Sequence, residues 1–185
     1  TADNILVDTL TSNTTMNGDA GDDVLVSNAT SGSDTLDGGD GNDLLIGGAG
    51  SDNLTGGLGA DTFAWRLADK GTAGSAATTA SDTIYGFDTV ANSDRLDLRD
   101  LLVGENHASG IGNLANYIDI TTSGGNTLIR VSTTGGFTGG NYAAGAEDQR
   151  ITLSGADLYS SYGITAGNDA ALIQKLLTDG KLKVD

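Results

Sequence analysis

Gly38-Gly39-Asp40-Gly41-Asn42-Asp43-Leu44-Leu45-Ile46, Gly47-Gly48-Ala49-Gly50-Ser51-Asp52-Asn53-Leu54-Thr55 and Gly56-Gly57-Leu58-Gly59-Ala60-Asp61-Thr62-Phe63-Ala64 follow one another with nothing between them. Each reads G-G-x-G-x-D-x-U-x, where U is a large apolar residue. Aspartate in the sixth place and an apolar residue in the eighth, at a fixed nine-residue period, is the signature of a parallel β-helix with calcium in its turns. One match could be chance in a chain with 29 glycines, but three in tandem are not.

The first six residues of each copy form a turn, because glycine alone takes positive φ and close backbone approach without steric cost. The last three form a short strand whose middle side chain points to one face. Leu45, Leu54 and Phe63 are thereby placed in a narrow interior. Successive copies fall on opposite walls of a flattened coil, and copies two apart stack at about 4.8 Å. Stacking gathers the aspartates of alternate turns together with turn carbonyls. A calcium ion takes six to eight such oxygens at about 2.3 to 2.6 Å. Without the cation the carboxylates repel, so the ion is expected to be part of the fold.

Upstream, Gly18-Asp19-Ala20-Gly21-Asp22-Asp23-Val24-Leu25-Val26 keeps the pattern. Ala29-Thr30-Ser31-Gly32-Ser33-Asp34-Thr35-Leu36-Asp37 follows after two extra residues, Ser27 and Asn28, and lacks both opening glycines. Alternate-turn pairing makes Asp34 with Asp52 and Asp43 with Asp61 the best candidate sites. Asp23 with Asp43 is weakened by the insertion between them. Residues 1–17 show fragments only, read as degenerate coils in which Asp3-Asn4-Ile5 imitates D-x-U.

After Ala64 the period stops. Residues 65–80 read as a loop, and Asp82-Thr83-Ile84 then repeats D-x-U, making Asp82 a candidate last ligand on the wall that ends at Asp52. Leu98 to Val103 is expected to form a short helical turn. Two alternating stretches flank the hairpin turn Gly124-Gly125-Asn126, and a further strand covers Arg150 to Leu153. This antiparallel patch is expected to cover the open end of the coil, whose unpaired backbone would otherwise recruit other chains. Asn168 caps a helix with Leu172, Ile173, Leu176 and Leu177 on one face, ended by Gly180. The expected fold is all-β: a calcium-bound parallel β-roll over 1–64 (degenerate coils 1–17, recognisable repeats 18–64), then an antiparallel capping and secretion-signal region over 65–185 with a short C-terminal helix.

Acidic residues number 25 against 9 basic, a net charge of −16, which argues against nucleic acid and anionic membranes as partners. With no cysteine, disulfides, zinc thiolates and a thiol nucleophile are excluded. No apolar run is long enough to span a bilayer as a helix. The chain opens on Thr1 without a basic-then-apolar leader, so we expect the end of a longer polypeptide without a cleavable signal. His107 stands alone in a polar loop, and neither H-E-x-x-H nor G-x-S-x-G occurs, so no enzyme activity is expected. The third and fifth places form no repeated threonine array of the kind an ice-binding solenoid would need.

The tandem nonapeptides, Gly59-Ala60-Asp61-Thr62-Phe63 and Asp82-Thr83-Ile84 resemble RTX proteins exported by bacterial type I secretion. The remainder, through Ile151-Thr152-Leu153-Ser154-Gly155 and the final Leu176 to Asp185, is similar to the C-terminal target domain of large RTX adhesins. The resemblance implies an uncleaved C-terminal signal read by an ABC transporter, a membrane-fusion protein and an outer-membrane channel. It implies a monomer that leaves unfolded and folds on extracellular calcium. It also implies carbonyl ligands from the first four places of each repeat: Gly38, Gly39, Asp40 and Gly41; Gly47, Gly48, Ala49 and Gly50; Gly56 and Leu58 among 56–59. Alternatives are the export module of a secreted RTX protease or lipase, and a carbohydrate-binding module.

Overall fold

The computed structural model describes residues 2–9, 12–71, 79–89, 93–106 and 110–185; His107 lies outside them. Strands β1 (Ile5–Asp8), β2 (Thr15–Asn17), β3 (Val24–Ser27), β4 (Thr35–Asp40), β5 (Leu44–Ile46), β6 (Asn53–Leu58) and β7 (Thr62–Ala64) alternate between two walls. β8 (Ala80–Tyr85) and β9 (Arg95–Asp97) carry the alternation past the last nonapeptide. Wall A runs β1-β3-β5-β7-β9 and wall B runs β2-β4-β6-β8, every pair parallel. The architecture is a β-roll, as the nine-residue period requires.

Eighth-place residues stack in register inside the roll. Leu25, Leu45, Phe63 and Leu96 pair successively on wall A, and Met16, Leu36, Leu54 and Ile84 on wall B. All are buried. The insertion at Ser27 and Asn28 leaves Leu25 opposite Leu45, because the extra length is taken up in the turn before Asp34. At the N-terminal end the expected frame is wrong by one residue. Leu6, not Ile5, pairs with Leu25, and Ile5 is 79% exposed, so Asn4 and not Asp3 occupies the aspartate place. A one-residue slip reverses every side chain of a strand, and Leu6 makes the inward contact.

The cap contains β10 (Ile118–Ser123), β11 (Asn126–Val131), β12 (Gln149–Ser154), the short helix α1 (Leu158–Ser161), α2 (Asp169–Thr178) and β13 (Leu182–Lys183). It covers the open end as expected, and does so by strand pairing along the free edges of β8 and β9 rather than as a lid laid across them. β12 adds parallel to β8, with Leu153 beside Ile84, and the antiparallel β11 and β10 extend wall B further. β13 adds parallel to β9, with Leu182 beside Leu96. Each wall is thus prolonged edge to edge, which pairs the main-chain groups that a lid would leave open. Leu98 to Val103 forms hydrogen-bonded turns, not a helical one.

The expected helix forms as α2. Asn168 Oδ1 accepts the Ala171 N–H at 3.3 Å, and Leu172, Ile173 and Leu176 are buried. Beyond it, Gly180 at φ +69° donates its N–H to Leu177 O and Lys181 donates to Leu176 O, the paired closing bonds of a glycine-terminated helix. Among the described residues no helix is long and apolar enough to cross a membrane. The strand frame makes a sharp prediction for neighbouring leucines. Leu45→Ala should cost about 2–5 kcal/mol in urea unfolding at saturating calcium. Outward-facing Leu44→Ala should cost about 1 kcal/mol or less; the reverse order would place the strand in the other register.

Candidate metal centre

Sixth-place aspartates form two columns, one along each turn edge. Asp23, Asp43, Asp61 and Asp94 precede wall A strands; Asp34 and Asp52 precede wall B strands, and Asp82 lies within β8 of that wall. All seven are buried. In each, Oδ1 accepts the backbone N–H of the residue one layer toward the N-terminus. Asp23 accepts from Asn4 at 2.6 Å, Asp43 from Asp23 at 2.8 Å, Asp61 from Asp43 at 2.9 Å and Asp94 from Asp61 at 3.1 Å. In the second column Asp34 accepts from Thr14 at 2.7 Å, Asp52 from Asp34 at 2.8 Å and Asp82 from Asp52 at 2.9 Å. The insertion leaves the Asp23–Asp43 contact as close as the others.

The second oxygens separate these residues into two groups. Oδ2 of Asp23, Asp43, Asp52 and Asp61 is buried with no hydrogen-bond donor. Asp34 Oδ2 instead accepts the Ser27 hydroxyl at 2.7 Å, and Asp94 Oδ2 accepts the Asp88 N–H at 2.7 Å. Asp82 Oδ2 accepts from Trp65 Nε1 at 2.6 Å and Gln149 Nε2 at 2.9 Å. Asp82 therefore stacks where expected, with its second oxygen already engaged by protein donors.

The orphaned oxygens open onto first-place glycines. A Cβ on Gly38 would collide with Asp43 Oδ2 and the Gly56 carbonyl; one on Gly18 would collide with Asp23 Oδ2 and the Gly38 carbonyl. On Gly47 and Gly56 it would meet Asp52 Oδ2 and Asp61 Oδ2. None of these four glycines has positive φ. What demands glycine there is room beside converging oxygens. The fourth place is different: Gly41, at φ +150°, packs its Cα onto the Gly21 carbonyl of the layer below. In the second place Asp19, at φ +69°, takes the left-handed conformation held elsewhere by Gly39, Gly48 and Gly57.

Other candidate carbonyls are partly committed to stacking. Asp40 O accepts the Gly21 N–H and Leu58 O the Gly41 N–H, both at 2.8 Å, and Gly50 O accepts from Ser81 at 3.2 Å. One such bond still leaves a carbonyl a second lone pair. Gly48 and Ala49 stack over Ser27 and Ala29, while the Gly39 and Gly41 carbonyls abut Gly57 and Gly59. Among the described residues no three acidic or imidazole side chains converge on one point. A hard-cation shell here must mix one or two carboxylates with main-chain oxygens, a donor set that suits calcium.

Sequence reasoning missed Asp94, Trp65 and Gln149. Asp94-Arg95-Leu96 is itself D-x-U and could have been found by that signal; nothing in the spacing marks Trp65 or Gln149.

Burial pushes these carboxyls up in the metal-free protein: Asp52 to about 8, Asp61 and Asp82 to about 6, with Asp43 and Asp94 also raised. Neighbouring aspartates add to the rise, and backbone donors oppose it. The unfolded groups titrate near 3.8, so the metal-free fold binds more protons than the unfolded chain between that pH and about 8. Its stability therefore falls as pH rises through this window. Calcium-stripped protein should show more β circular dichroism at pH 5 than at pH 8, and calcium should restore the signal at pH 8. Equal signal at both pH values would contradict the burial of these groups.

In comparison with known proteins, the RTX calcium-binding nonapeptide repeat, in four copies, matches residues 8–29 and 28–63. The chain matches no curated protein. Among solved structures it is similar to the AlgE6R2 subunit of the Azotobacter vinelandii mannuronan C5-epimerase, at 26% identity and a TM-score of 0.59, over 97% of this chain and 91% of that one. It is also similar to the AlgE6R3 subunit of the same epimerase, at 26% identity and a TM-score of 0.53, over 88% of this chain and 76% of that one. Residues 8–63 are thus RTX calcium-binding nonapeptide repeats, and calcium is the ion that their turns bind.

Proposed function

We propose that this chain is a calcium-folded export module of a large secreted adhesin, with residues 1–64 as the roll and 65–185 as the cap and type I secretion signal. The observation that carries the calcium mechanism is the set of four buried carboxylate oxygens without a donor. Asp23, Asp43, Asp52 and Asp61 supply the charged ligands, joined by first-place carbonyls such as those of Gly38 and Gly56. Asp34 joins them if the Ser27 hydroxyl turns away. Asp82 and the remaining carbonyls support the shell without leading it. A ligand bound only by the folded state stabilises it by RT ln(1 + [L]/Kd). Extracellular calcium modules have Kd of about 10⁻⁴ to 10⁻³ M. Such a site stays empty in the cytoplasm, where the chain must remain threadable, and fills outside. The partners are then the ABC transporter, membrane-fusion protein and outer-membrane channel, and the module works as a monomer.

A second reading, favoured by the similarity to epimerase subunits, is a repeat module carried by a secreted carbohydrate-modifying enzyme. That similarity extends over 97% of this chain and so takes in the cap as well as the repeats. In either reading the module holds no catalytic role of its own. Assay of the parent polypeptide on polysaccharide, with and without residues 1–185, separates the two.

Two measurements test the leading reading. Asp43→Asn should raise the calcium midpoint of folding roughly tenfold, as expected for losing about 1.4 kcal/mol of charged ligation, whereas Asp82→Asn should shift it far less. Equal shifts would overturn the ligand assignment. In cells carrying a type I exporter, deletion of residues 65–185 should abolish appearance in the medium; undiminished export would overturn the secretion role.

A further inference from the structure

Lys181 is 1% exposed, in a chain whose other basic residues all keep more contact with water. Its position is set twice over. The closing turn of α2 fixes its N–H on Leu176 O, and its own carbonyl accepts the Leu96 N–H at 2.8 Å as β13 joins wall A. Its ammonium donates to the Asp88 carbonyl at 3.0 Å and to the Ser93 hydroxyl, with the Phe87 ring centroid 6.0 Å away. The same segment holds the end of the first column: Asp88 N–H donates to Asp94 Oδ2, and Ser93 immediately precedes Asp94. In the next layer the aspartate place is taken by Gly180, which brings no carboxylate. The column thus ends with a buried carboxylate, Asp94, and a buried cation delivered by the last strand.

We propose that Lys181 is a built-in cation that does for the last layer of wall A what bound calcium does for the layers before it, so that β9 and β13 close on each other without metal. The idea rests on the assignment of calcium to the orphaned carboxylates. Three facts converge on it. Orphaned oxygens occur at Asp23, Asp43 and Asp61 but not at Asp94, one layer further. The ammonium binds a main-chain carbonyl and a hydroxyl, the neutral oxygen types that a calcium ion would recruit. Burial lowers the Lys181 ammonium below the usual lysine range; Asp94, Asp88 and Asp179 around it counter that shift, while Arg95 adds to it. The acids at the end of the column are thus what compensate the buried cation. The second column ends likewise on protein donors, there the neutral Trp65 and Gln149.

The test is residue-resolved hydrogen exchange of the full chain during a calcium titration. Amides of Leu96 and Leu98, which donate to the Lys181 and Lys183 carbonyls, report the last layer. Amides of Leu44 and Thr62, which donate to Asp23 and Asp43 carbonyls, report the calcium layers. In the unaltered protein the last layer should gain protection at a calcium concentration roughly tenfold below that of the other set. Lys181→Met, which keeps the apolar stem, should remove that lead. Because a single variant could act through packing, Asp94→Asn and the double variant complete a cycle. Removing both charges should cost less than the sum of the single changes, by a coupling of roughly tenfold in midpoint. Coincident midpoints in the unaltered protein, or additive effects in the cycle, would overturn the proposal. If instead Leu44 and Thr62 show no calcium dependence, the ligand assignment itself fails.

Discussion

Every layer of the roll hangs on one bond, from a backbone N–H to the Oδ1 of an aspartate in the next layer. It ties the turns together alongside backbone bonds such as Gly21 N–H to Asp40 O, and it does so with an acidic group. A buried carboxylate is costly unless both oxygens are satisfied. One backbone donor satisfies half of it. The remaining half, at Asp23, Asp43, Asp52 and Asp61, is the reason that the fold needs a cation.

That need accounts for the composition of the repeat. The first-place glycine keeps the space beside the carboxylate clear, and the fourth lets successive turns approach carbonyl to Cα. The eighth-place apolar residue holds the walls together from inside. The outward seventh and ninth places, like the third and fifth of the turn, are free of these demands, and Leu44, Thr62 and Arg95 stand side by side in the seventh place on wall A. Uniform inner places and varied outer ones follow from a single stacked geometry.

This division decides what could be read from the chain. The strict places were legible: the two walls, the interior residues Leu45, Leu54 and Phe63, and the aspartate stacking from Asp23 to Asp82 all follow from period and residue type. The cap was legible only in pieces, because its strands join the walls through contacts distant in sequence. Nothing local in Gln149 or Trp65 shows that they meet at Asp82, 67 and 17 residues away. Likewise β13 is two residues long, and its place beside β9 depends on how α2 ends. The slip at Asn4 has a different origin. Asp3, Asn4 and Ile5, Leu6 offer two adjacent frames, and only the packing of Leu6 on Leu25 chooses between them.

The column also has a direction, and its two ends face unlike problems. Each carboxylate accepts from the layer nearer the N-terminus, so the first layer has only to donate a backbone N–H. Any residue but proline can do that, and Asn4 and Thr14 do, without an acid. Decay of the motif over residues 1–17 is therefore cheap. At the far end the last carboxylates still have a second oxygen to satisfy and no further repeat to help. The cap must bring donors of its own, which is why Asp82 and Asp94 are met by Trp65, Gln149 and the Asp88 amide. A repeat array built on this bond can begin on almost any sequence but can end only on a dedicated one.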